Sequence, residues 1–118
     1  MPGKSAMPDG ASIQMVLTTV GSQADAQRLG RQMVENRLAS CAQIQGIESI
    51  YDWDGAVRHE PEWRLLFKTT PGRSAALVTE LRRQHPYRLP AIVALPARAT
   101  AEFAQWVAQN CASSRQAS

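Results

Sequence analysis

Apolar and polar residues alternate along this chain with two different periods, and the changes of period mark its elements. Ile13-Gln14-Met15-Val16-Leu17-Thr18-Thr19-Val20 is short, apolar and rich in β-branched residues, which predicts a buried strand. Gly21-Ser22 ends it, and Ser22 is placed to cap a helix with Asp25 in its first turn. Leu29, Met33, Val34 and Leu38 then recur at helical spacing, with Arg28, Arg31, Gln32 and Glu35 on the wetter side. From Val57 to Phe67 the period drops to two, with Val57, His59, Pro61, Trp63, Leu65 and Phe67 on one face. Pro61 cannot donate to a ladder, so the strand there must be an edge or carry a bulge.

The partner strand is expected from about Cys41 to Trp53, joined through Asp54-Gly55, a strong two-residue hairpin signal. Its apolar phase shifts after Gly46, which predicts a bulge or bend. Such a hairpin is too long for so small a domain and should project beyond its own core. Thr70-Pro71 opens a second helix, with Thr70 as cap, Pro71 at the first helical position and Leu77, Val78 and Leu81 as its stripe. Pro86 stops it. Ile92-Val93-Ala94-Leu95 predicts a central strand buried on both faces and ended by Pro96. Thr100 caps a last helix whose face holds Phe103, Trp106 and Val107, with Trp63 and Trp106 as core candidates. The order β-α-β-β-α-β plus a C-terminal helix predicts an α+β fold: a ferredoxin-like split βαβ sandwich with a long hairpin between its second and third strands. Residues 1–12 are read as a disordered leader, 13–111 as one domain and 112–118 as a flexible tail.

Composition narrows the function classes. The 118 residues, 44% hydrophobic and 19% charged, suit one globular domain. The net charge of +3 comes from thirteen Lys and Arg spread along the chain, not from a patch of the kind nucleic acid needs. Arg64-Leu65-Leu66-Phe67-Lys68-Thr69 also lacks the aromatic, Gly-containing pattern of RNA-binding domains that share this strand order. No apolar run is long enough to span a membrane, and no signal peptide is evident. A reduced cytoplasmic location with Cys41 and Cys111 as free thiols is therefore expected. There is no phosphate loop, HExxH or GxSxG motif, and a Cys41–His85 thiolate pair is the only catalytic arrangement that the residues suggest. A non-enzymatic protein is the expectation.

Four motifs remain: Ala39-Ser40-Cys41, Ser49-Ile50-Tyr51-x-Trp53-x-Gly55, Lys68-Thr69 and His85-Pro86-Tyr87-x-x-Pro90. In order, spacing and placement they resemble the CutA family of divalent-cation tolerance proteins, from about Gln14 to Val107. The resemblance implies a homotrimer whose long hairpins pair across subunits, with Tyr51 and Trp53 in the interface. It also implies a role in tolerance of copper and other divalent cations, with no required cofactor and Cu2+ or another divalent cation as the possible ligand. His85 and Cys41 are the candidate metal ligands, being borderline and soft donors. Against them stand the need for several convergent ligands and readings of Cys41 as a small buried residue and His85 as a helix-end imidazole bonded to backbone. Some copper-binding relatives carry Cys and His where this chain has Thr18 and Gln84, and Ala91 replaces the Glu common after the second Pro.

Lys68, Tyr87 and Trp53 are the candidate lining of an inter-subunit cleft, with Lys68 free to pair with Glu48 or Glu62. His59 is read as a packed or interface histidine. A PII-like trimeric sensor with small-molecule sites in such clefts is the alternative function.

Overall fold

The computed structural model describes residues 10–112. Its elements follow the expected order: β1 (Ala11–Val20), α1 (Gln23–Glu35), β2 (Cys41–Trp53), β3 (Ala56–Thr69), α2 (Ser74–Gln84), β4 (Ile92–Ala99) and α3 (Ala101–Asn110). The strands form one antiparallel sheet in the order β2-β3-β1-β4, the split βαβ arrangement. The leader at 1–9 and the tail from 113 lie outside the described residues, whereas Ala11 and Ser12, expected in the leader, are already strand.

Strand alternation divides the sheet into two different faces. Val16, Val20, Leu65 and Phe67 point to the side where α1 and α2 lie, and pack with Leu29, Met33, Leu77 and Leu81 into a fully buried core. Each such side chain contributes roughly 1.5–3 kcal/mol on burial. Ser22 caps α1 as expected, its Oγ accepting from the Asp25 N–H at 3.1 Å. On the opposite face, among the described residues, only α3 packs, closing a small cluster of Ile13, Ala99, Ala104, Val107 and Cys111 at one end. The register puts Met15, Leu17, Leu66 and Leu95 on that second face, and all are only half-buried. We call it the open face.

Several local expectations are corrected. Ile92-Val93-Ala94-Leu95 is not a central strand: β4 is the sheet edge, and Val93 is 56% exposed. Edge position also explains why Pro96 does not end the strand but pairs with Gln14 within it, because an edge tolerates a missing donor. No bulge follows Gly46, since the β2–β3 register runs without interruption from Cys41↔Lys68 to Trp53↔Ala56. The apolar phase changes there because the hairpin leaves the helices behind: Ile44 shares their side with Leu65, whereas Ile47, Tyr51 and Trp53 share the open face. Pro61 lies beyond Trp63, where β3 stops pairing with β1 and has a free edge.

Thr70 and Pro71 precede α2 by a turn, and the Thr70 Oγ1 accepts from the Arg73 N–H at 3.1 Å before the helix begins at Ser74. Trp106 is no core residue; it stacks on Phe103 at 5.6 Å and is 43% exposed. Trp63 does pack against the main core.

Candidate functional site

His85 is the residue that ends α2, in extended geometry ahead of Pro86. Its ring lies under the end of β1, with Nε2 2.9 Å from the Thr18 hydroxyl. Nδ1 accepts the Tyr87 backbone N–H at 3.1 Å. A backbone N–H can only donate, so Nδ1 carries no proton; the proton is on Nε2 and is given to Thr18 Oγ1. Both ring nitrogens are thus engaged within the chain. Burial, the largest influence, pushes the imidazole below its ordinary range, opposed by a hydrogen bond that the ring donates to the Thr19 backbone carbonyl and by Asp25.

The segment after His85 carries Tyr87 onto β3. Its hydroxyl donates to Glu62 Oε2 at 2.8 Å. Burial and that hydrogen bond raise the phenol so far that it stays protonated. Gly21 provides the seat: a Cβ there would lie 3.1 Å from the Tyr87 hydroxyl oxygen. Further along the hairpin Tyr51 makes a parallel contact, donating to Glu60 Oε1 at 2.7 Å, which raises its own phenol. Tyr51–Glu60 and Tyr87–Glu62 are thus two separate hydrogen-bonded pairs along β3 at the hairpin root and arm.

Cys41, half-buried, starts β2 directly opposite Lys68. Beside it an open groove of about 830 Å³ runs between α1 and the β2 edge, lined by Arg28, Arg31, Val34, Ser40 and Ile44 among others. Lys68 pairs with neither Glu48 nor Glu62. Its Nζ donates to Gln43 Oε1 at 3.1 Å and lies 5.7 Å above the Phe103 ring. His59 is not packed; it bonds Glu48 Oε1 at 2.8 Å with 60% of its side chain exposed.

The expected site residues are therefore spread along the sheet. Thr18, the partner of His85, shares the helix side with Leu65, whereas Cys41 shares the open face with Lys68. Strand rise puts about 20 Å between Lys68 and Glu62, where Tyr87 docks, and about 20 Å more from Glu62 to Ala56, which faces Trp53. Trp53 itself is 53% exposed at the hairpin end. Among the described residues no group of three His, Cys, Asp or Glu could hold a metal ion. A resident metal centre needs such convergence, and these side chains do not fit one.

Three contacts have only weak traces in the sequence. Thr18 is a lone hydroxyl among β-branched positions facing a core, the one signal of a polar partner inside. Gly21 reads as a strand terminator, yet its role is the room it leaves. Arg37, at φ 60, donates through Nη2 to the Gln109 carbonyl at 2.6 Å and through Nε to that of Ala112 at 2.9 Å, tying α3 to the end of α1. No spacing rule reveals that tie.

Comparison with known proteins adds the following. A family model described as CutA1 divalent ion tolerance protein matches residues 14–110. The divalent-cation tolerance protein CutA of Thermus thermophilus is 40% identical over 99 residues, 82% of this chain and 96% of that protein. The solved structure of CutA from Synechococcus elongatus superposes with a TM-score of 0.83 at 36% identity, covering 86% of this chain and 92% of that one. A structure described as the periplasmic divalent cation tolerance protein CutA from Archaeoglobus fulgidus gives 0.81 at 28% identity, over 85% and 99%.

Proposed function

This chain belongs to the CutA1 divalent ion tolerance family, and on that premise we propose that it acts as a homotrimer in tolerance of divalent cations, copper among them. The observation that carries the assembly is the uncovered apolar surface. The open face leaves Met15, Leu17, Leu66 and Leu95 half-buried, and the hairpin beyond the core exposes Ile50 at 67%, Trp53 at 53% and Val57 at 75%. A projecting two-stranded ribbon with apolar residues on both faces is marginal alone and needs cover. Neighbouring copies supply it, with Tyr51 and Trp53 as the aromatic anchors of the interface. Only from such a neighbour can Lys68, Tyr87 and Trp53, strung out along one chain, come to share a cleft.

The role is non-catalytic and has no Cys41–His85 chelate or thiolate–imidazole pair at its centre. The support is geometric: the sheet separates the two residues, and each ring nitrogen of His85 already has a partner. The cytoplasm is the proposed compartment. No described helix is long and apolar enough to cross a membrane. Sedimentation equilibrium at micromolar concentration tests the assembly: a mass three times the 12.9 kDa chain is expected, and a monomer would overturn the reading.

A further inference from the structure

The stretch from His85 to Pro90 has no regular secondary structure and is largely exposed, with Leu89 at 74%. One imidazole fastens its start. His85 Nδ1 holds the Tyr87 N–H, Nε2 is anchored on Thr18 of β1, and Tyr87 in turn reaches Glu62 of β3 across Gly21. The link from the ring to the Tyr87 N–H exists only while Nδ1 has a free lone pair.

We propose that His85 is an acid-released latch for the 86–90 segment. A proton taken from solvent at Nδ1 turns that nitrogen from acceptor into donor. It then opposes the Tyr87 N–H, a donor facing a donor, and the backbone bond is lost. Tyr87 leaves its seat on Gly21, and Glu62 is uncovered at the root of the hairpin. The reverse proton loss re-forms the latch.

The groups facing the ring come from each element around it. Asp25 on α1 and Glu62 on β3 favour the imidazolium, Arg28 on α1 disfavours it, and the Thr19 backbone of β1 favours it; burial opposes it and outweighs them. The sign follows. A histidine depressed in the closed state binds fewer protons than one released to water, so closure is fully favoured above the ordinary value of about 6.5. That preference declines as the pH falls from there through the closed-state value. The latch goes beyond the tolerance reading and does not depend on it.

Two measurements on the full chain by NMR test this: the His85 ring C–H shift against pH, and hydrogen exchange of the Tyr87 amide over the same range. A His85 midpoint below the ordinary value, with loss of Tyr87 protection through that midpoint, is expected. A midpoint at or above the ordinary value, or unchanged protection, overturns the latch. His85→Asn keeps an acceptor that does not titrate and should hold the Tyr87 amide protected at every pH; should it fail to fold, the wild-type titration decides alone. Sedimentation at the same pH values separates release from disassembly, and protection lost only together with the oligomer would count against the latch.

Discussion

Cys41 faces Lys68 in the β2–β3 register, which puts its thiol on the sheet face opposite the one where His85 meets Thr18. Two donors on opposite faces of one sheet cannot share an ion within one chain. In a copper titration, Cys41→Ser and His85→Ala should therefore act independently, with a coupling energy within about 0.5 kcal/mol of zero. A coupling well above that would show one ion held by both.

Gly21 and Tyr87 should be coupled strongly. Gly21→Ala would place its Cβ 3.1 Å from the Tyr87 hydroxyl oxygen, while the nearest ring carbon would be at 3.8 Å. Overpacking of this sort costs about 1 kcal/mol or more, seen as a lower denaturant midpoint. Tyr87→Phe removes the clashing atom, so in that background Gly21→Ala should cost little. Equal costs in both backgrounds would mean that the seat is not what demands glycine.

Trp53 tests the assembly without touching the core. It is half-exposed at the hairpin end, where it contributes nothing to the packed centre of its own chain. If Trp53 anchors the proposed trimer, Trp53→Ala should weaken its association by about 2 kcal/mol or more, as for a buried interface aromatic. An unchanged sedimentation profile across a dilution series would remove Trp53 from the interface.

These residues also show what is legible in a sequence and what is not. Element order, the Ser22 cap and the Asp54-Gly55 turn depend on local periods and propensities, and the expectations for them match the structure. Pro96 and the apolar run before it misled because burial depends on which strand is the edge, a property of the whole sheet. The phase change at Gly46 resembles a bulge for a related reason: the packing partner changes sides while the backbone stays regular. His85 was legible as a singled-out residue, but its state was not. Thr18 is 67 positions away, and only the fold brings that hydroxyl to the ring.

Arg37 carries two opposing effects that substitution can separate. Its backbone is left-handed, at φ 60, directly after the Asn36 cap of α1, a conformation that costs a non-glycine residue roughly 1 kcal/mol. Its guanidinium offsets this by donating to the Gln109 and Ala112 carbonyls at the negative end of α3, while its own carbonyl accepts from Arg73 at 3.3 Å. Arg37→Ala loses the donors and keeps the strain, so it should destabilise by about 1–2 kcal/mol. Arg37→Gly loses the same donors but relieves the strain, and should recover most of the difference. Chemical denaturation of the three proteins checks the order: wild type above or near Arg37→Gly, with Arg37→Ala lowest. Were Arg37→Ala as stable as wild type, the guanidinium would contribute nothing to holding α3. In that case the satellite cluster of Ile13, Ala99, Val107 and Cys111 would hold the helix by packing alone.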